Sequence, residues 1–171
     1  RALFELGIDM IKADFGEQIE EHMLASDGSK GRALHNIYAL LYNRCVYEAA
    51  EKFSREGGFL FSRAGWSGSQ RYPSQWGGDP QADWGGLAGN LRSGLSWGLT
   101  GAPFYATDVG GFYGDQRDPL LYVRWLQAAV FSAHLRLHGI GQREPWSYGP
   151  EAERHADAAL ANAREGAADD D

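Results

Sequence analysis

Two stretches of the chain set a carboxylate beside glycine, Lys12-Ala13-Asp14-Phe15-Gly16-Glu17 and Trp76-Gly77-Gly78-Asp79, and each closes an apolar or aromatic run. Arg63 lies between them in Phe61-Ser62-Arg63-Ala64-Gly65, and the chain carries 6 tryptophans. Two carboxylates, a guanidinium and several indoles together suit cleavage of a bond in a sugar. Lys12 stands two residues before Asp14, on the same side of an extended strand. A cation there keeps the carboxylate ionised, as a nucleophile requires; a structural ion pair or a capping aspartate is the alternative. At Asp79 the preceding glycines let backbone approach a ligand, and the Trp76 indole offers a flat face. A dry aromatic setting would raise a carboxyl pKa as a general acid requires; an ordinary Asp-Pro turn with Pro80 is the alternative. Arg63 could clamp hydroxyls or a carboxylate, or be structural. Asp108 and Phe112 flank Gly110-Gly111, a loop able to line a pocket unless Asp108 only closes an Asx-turn. His134 and His138 are four apart, but no Glu or third His sits at zinc-motif spacing, so no metal site is expected. His138 suits hydroxyl binding better. Neither a dinucleotide fingerprint nor a P-loop is present.

Short apolar runs and helical periods position these groups. Residues 6–13 read as a buried strand ending at Asp14. From His35 to Arg55 the pattern predicts a helix with Ile37, Leu40, Leu41, Cys45, Ala49 and Phe53 on one broad face, stopped by Gly57-Gly58. Phe59-Leu60-Phe61 is a second strand, and residues 65–86 form a long Trp- and Gly-rich loop of the kind that is often functional. Leu87, Leu91, Leu95 and Leu99, four apart, predict a helix over 87–99. A third strand over 101–107 ends at Asp108, a helix runs from Pro119 to about His134, and a short fourth strand covers 135–138. Strands alternating with helices call for an α/β protein with parallel strands and helical crossovers. Asp14, Arg63, Asp108 and His138 each fall at the C-terminal end of a strand, where α/β barrels and open doubly wound sheets both place their chemistry. The pattern leaves those two architectures open.

At 171 residues the chain could be one domain with a sizeable core. Its net charge of −7 argues against a nucleic-acid partner, which calls for a basic face. The run Asp169-Asp170-Asp171 is expected to be a solvated tail, and Cys45, the only cysteine, a small core residue. No apolar stretch of about 18 residues is present, so no transmembrane helix or membrane partner is expected. One cysteine and no signal-peptide pattern lean toward a cytoplasmic setting, and the compartment and the oligomeric state are left open. From Pro150 onward Ala, Glu, Asp and Arg dominate and Leu160 is the only large aliphatic residue, which predicts a solvated helix or a frayed end.

These motifs resemble glycoside hydrolase family 31, the family of α-glucosidases and α-xylosidases. The resemblance runs from about Leu6 to Tyr148. It rests on KADFGE, HNIYALLYN from His35 to Asn43, FSRAGWSGSQRYPSQWGGD from Phe61 to Asp79, TDVGGF from Thr107 to Phe112, and RLHG from Arg136 to Gly139. It implies a (β/α)8 catalytic barrel of which this chain is the C-terminal half: residues 1–149 a partial domain of about four βα units, residues 150–171 a polar tail. It implies a retaining double displacement with Asp14 as nucleophile and Asp79 as general acid and base. Lys12, Arg63, Trp76, Asp108, Phe112 and His138 would line the pocket for the terminal sugar of an oligosaccharide or glycoside, without cofactor or metal. Many α-glucosidases of the family carry a Trp-Ile-Asp-Met-Asn-Glu type sequence at the nucleophile, whereas Lys-x-Asp-Phe-Gly-Glu is similar to the α-xylosidase branch. With four units present, two strand edges would be exposed, so the chain by itself is expected to be inactive or aggregation-prone.

Overall fold

The computed structural model describes residues 1–102, 104–114 and 117–168. The acidic run 169–171 lies outside the described residues. The chain resolves into two compact units, Arg1–Trp76 with Leu99–Pro103, and Gly77–Gly98 with Phe104–Asp171.

The first unit holds α1 (Ala2–Glu5), β1 (Met10–Ala13), α2 (Gly31–Leu34), α3 (Ile37–Phe53), β2 (Phe59–Ser62) and β3 (Ser74–Trp76). β1 and β2 are parallel, with Lys12 level with Phe61 and Ala13 with Ser62. β2 and β3 are parallel too, with Phe61 level with Ser74 and Ser62 with Gln75. The β1–α3–β2 crossover is the unit that parallel pairing requires. The core between sheet and helix is Ala13, Leu60 and Tyr72 against Leu40, Tyr42, Val46 and Tyr47. Three expectations change here. The first strand begins at Met10, because the residues before it form α1 and a turn. The loop expected over 65–86 contains the 3₁₀ turn Ser69–Arg71 and β3. β3 is illegible as a strand because two of its three residues, Ser74 and Gln75, are polar yet fully buried. The buried positions of α3 are Ala39, Asn43 and Ala50, while Ile37, Leu41 and Cys45 are exposed. Small side chains let this helix lie close to the strands, so counting large aliphatics rotates the expected face, and Cys45 is not a core residue.

The second unit holds α4 (Trp84–Leu99), β4 (Phe104–Ala106), α5 (Pro119–Ala129) and α6 (Pro150–Ala168). Asp83 caps α4 by accepting from Gly86 N at 2.6 Å. Asp118 caps α5 by accepting from Leu120 N at 2.9 Å and Leu121 N at 3.2 Å, with Pro119 at the first helical position. Of the α4 leucines only Leu87 is buried; Leu95 and Leu99 are 73% and 91% exposed. The face of α4 toward β4 is made instead by Asn90, which accepts from the Tyr105 hydroxyl and from Thr107 Oγ1, and by Gly94, where a Cβ would stand 2.8 Å from the Tyr105 ring. The core joins Leu121, Tyr122, Trp125, Leu126 and Ala129 of α5 to Val109, Tyr148 and the buried Ala152, Ala156 and Ala159 of α6. Residues 150–168 therefore form a helix, as one of the two expectations had it, but one face of it, through Ala152, Ala156 and Ala159, is packed into the core. An alanine face permits close helix contact, and a search for large aliphatics misses it. α5 ends at Ala129, short of the expected His134. The expected strand over 135–138 is reduced to one parallel bridge between Asp108 and Arg136, with Val109 N donating to Arg136 O at 3.0 Å. No helix among the described residues is long and apolar enough to cross a membrane.

Candidate active site

In the first unit, β1 and β2 deliver Lys12, Asp14 and Arg63 together. Arg63 N donates to Ala13 O at 3.1 Å, which carries the β1–β2 pairing one residue further. Asp14 Oδ2 then accepts from Lys12 Nζ at 3.0 Å, and Asp14 Oδ1 pairs with Arg63 Nη1 at 2.9 Å. Phe15 N also donates to Oδ1 at 2.9 Å, and the Tyr42 hydroxyl donates to the Asp14 carbonyl at 3.2 Å. Partial burial alone would push the Asp14 carboxyl up. The Lys12 and Phe15 N–H bonds and the charges of Lys12 and Arg63 outweigh it and hold the carboxyl below its ordinary value. The side chain keeps 37% of its surface exposed, so Asp14 is an ionised carboxylate open to solvent.

Its surroundings are constrained. Phe15 has φ 61, a left-handed conformation that a bulky non-glycine residue rarely takes. Its ring lies 4.2 Å from the Arg63 guanidinium carbon. Arg63 also pairs with Glu17. Gly16 is required where it stands: φ is 96, and a Cβ would meet Tyr42 at 2.7 Å. Trp76 is fully buried, with the Phe61 ring 4.6 Å away and Lys12 Nζ 4.6 Å from the indole centroid. It supports Lys12 and does not present the open face expected from its motif. The indoles that do present an exposed face are Trp66, Trp84 and Trp146.

In the second unit, Asp79 is half-buried and follows Gly78, whose φ is 87. The residues after it are tied to the glycine loop: Pro80 O accepts from Phe112 N at 2.7 Å and from Tyr113 N at 3.0 Å, and Ala82 N donates to Tyr113 O at 2.7 Å. Phe112 is half-buried, and its ring lies 5.3 Å from that of the exposed His138. Asp79, Phe112 and His138 thus share one connected loop system. Asp108 does not join them as an open pocket group: it is fully buried and engaged by Arg136, whose Nε donates to Oδ1 at 2.7 Å. It anchors the loop instead, since its carbonyl also accepts from Gly111 N at 3.0 Å. Glu17, Arg136 and Arg143 are missing from the residues the motifs single out. Glu17 and Arg136 stand inside quoted motifs and were legible as charges next to candidates; Arg143 carries no local signal.

The comparisons agree with these motifs. The family model described as "Glycosyl hydrolases family 31 TIM-barrel domain" matches residues 1–163. An α-xylosidase of Emericella nidulans is 45% identical over 154 residues, 88% of this chain and 20% of that enzyme. Alpha-glucosidase 2 of Bacillus thermoamyloliquefaciens is 36% identical over 132 residues, 75% of this chain and 17% of that enzyme. A Flavobacterium johnsoniae family 31 dextranase, solved with glucose, superposes with a TM-score of 0.82 at 31% identity, covering 92% of this chain and 22% of the dextranase. The chain spans about a fifth of the length of the curated relatives it matches. A family model matched over nearly the whole chain, parallel strands with a helical crossover and the ordered motifs around Asp14 and Asp79 converge: the chain belongs to glycoside hydrolase family 31, within its TIM-barrel domain.

Proposed function

We propose that this chain carries the reacting groups of a retaining, exo-acting α-glycoside hydrolase, with terminal α-xylosides as the favoured substrates. The observation that carries the reading is the state of Asp14: an exposed carboxylate, ionised by Lys12 and Arg63, at the C-terminal end of a parallel strand. In this mechanism Asp14 attacks the anomeric carbon and forms a glycosyl ester while the leaving oxygen takes a proton from Asp79. Asp79 then removes a proton from water, the water oxygen displaces Asp14, and the sugar leaves with its original anomeric configuration. Lys12 and Arg63 hold Asp14 in its anionic form and aim its oxygens. Phe112 and His138 wall the sugar beside Asp79, Trp76 backs Lys12, and Asp108 keeps the glycine loop in place through Arg136. The Lys-x-Asp-Phe-Gly-Glu sequence and the 45% identity to an α-xylosidase favour xylose; the α-glucosidase relative keeps glucose as the alternative within the same chemistry.

The alternative reading is a sugar-binding remnant without turnover. One experiment separates them. The purified chain is incubated with 5-fluoro-α-xylosyl fluoride or a cyclohexitol epoxide and weighed by mass spectrometry, with xylose and glucose binding followed by calorimetry. Labelling at Asp14 supports the hydrolase; sugar binding without any adduct supports the remnant. Each molecule needs to react only once, so an adduct accumulates even where turnover is too slow to detect.

A further inference from the structure

We propose that Arg143 is a positioning residue: a buried cation that clamps the loop at residues 111–114 and through it sets Asp79 against the wall formed by Phe112 and His138. Arg143 is 4% exposed. Its guanidinium donates from Nε to Gly111 O at 2.7 Å, from Nη2 to Phe112 O at 3.2 Å and Gly114 O at 2.8 Å, and from Nη1 to Gln142 O at 3.1 Å. All four acceptors are backbone carbonyls. A buried charge is tolerated only where its hydrogen-bonding capacity is met, and here meeting it fixes three carbonyls of one short loop in one arrangement. The planar five-donor fork suits this task; a lysine ammonium, a single point of charge, cannot span the same acceptors.

The clamp continues to the site. Phe112 O, held by Arg143, also accepts from Ile140 N at 2.9 Å, just past His138 and Gly139. Phe112 N and Tyr113 N donate to the carbonyl of Pro80, the residue after Asp79. Gly139 makes the passage possible, because a Cβ there would stand 2.7 Å from Arg143 Nε and 2.8 Å from Gly111 O. A loop with glycine at 110, 111 and 114, all at positive φ, has little stiffness of its own, so its order has to come from outside. The functional weight of the clamp rests on reading Asp79 as the acid and base.

The test compares the full chain with Arg143→Met, Arg143→Lys and Gly139→Ala by amide hydrogen exchange and by the 13C resonance of the Asp79 carboxyl. Arg143→Met is expected to speed exchange at Phe112 and Tyr113 by at least about tenfold and to displace the Asp79 resonance, with α5 unchanged. Gly139→Ala should reproduce both effects, and Arg143→Lys should fall between wild type and Met. Unchanged exchange at Phe112 and Tyr113, or exchange raised equally through α5, overturns the clamp. An unmoved Asp79 resonance overturns its link to the site. Neither readout needs turnover, so a chain that cleaves no glycoside would sink the hydrolase reading and leave the clamp standing.

Discussion

Replacing Gly111 by alanine should destabilise the second unit far more than the same change at Gly149. Both glycines sit at positive φ, 84 and 97. An L-residue held at positive φ pays about 1–3 kcal/mol, and Gly149, with ψ 169, is in a region essentially reserved for glycine; a stiffer unfolded chain offsets about 0.4–1 kcal/mol at either site. The sites differ in space. A Cβ at Gly149 meets nothing within 4 Å, whereas at Gly111 it would stand 2.7 Å from Ala82 N and 2.8 Å from Ala82 Cβ. Ala82 N is itself bonded to Tyr113 O at 2.7 Å, so backbone has to move, and overpacking of this kind costs about 1–3 kcal/mol. Strain and unfolded-state gain are common to the two sites, so Gly111→Ala is expected to lose about 1–3 kcal/mol more than Gly149→Ala. Urea denaturation, with amide exchange in α5 reporting on this unit, measures both. Equal losses at the two positions would refute the close packing of the glycine loop on the segment that follows Asp79.

Three further outcomes are expected. Arg63→Met and Lys12→Met should each raise the pKa of Asp14, read from its carboxyl 13C titration, because each removes one of the cations that hold it down; an unshifted titration in both variants would remove the basis for calling it a prepared anion. His134 is held below its ordinary value by burial and by the charge of Arg136. Because the folded protein resists its protonation, its contribution is complete above the unfolded pKa of about 6.5, falls as pH drops below that, and levels off below the folded pKa. His134→Gln should therefore flatten the pH dependence of stability between pH 7 and 5, and identical slopes would count against this. Asp118→Ala should cost about 1–2 kcal/mol in urea denaturation through loss of the cap on Leu120 N and Leu121 N, and a loss below about 0.3 kcal/mol would show that the cap contributes little.

What could be read directly from the sequence was local. Phe59-Leu60-Phe61 was legible as a strand because it is a short apolar run just after Gly57-Gly58, too short for a helix, and Met10–Ala13 because it is a short, largely apolar run that closes at Asp14. The acidic motif marked Asp14 because Lys12 stands two residues before it and Phe15-Gly16 follow it. The misses share a cause: partners distant in sequence made acceptable what looks unfavourable locally. Ser74 and Gln75 build a buried strand because Ser62 Oγ donates to Gln75 Oε1 at 3.0 Å. Asn43 occupies the buried face of α3 because its side chain reaches Ala64 O at 2.8 Å. The alanines of α6 become core only when α5 lies against them. Arg143 reads as an ordinary surface cation until the carbonyls of residues 111, 112 and 114 are seen around it. The leucine stripe of α4 misleads in the opposite direction, since Leu91, Leu95 and Leu99 are regular in spacing and exposed in this structure.

The most direct test of the account is covalent trapping of Asp14. After incubation with 5-fluoro-α-xylosyl fluoride and proteolysis at low pH, the account predicts a glycosyl adduct on the peptide containing Asp14, absent from Asp14→Asn and accumulating more slowly in Arg63→Met. An adduct on another residue, or none at any time in protein whose fold is verified by amide exchange, would contradict it.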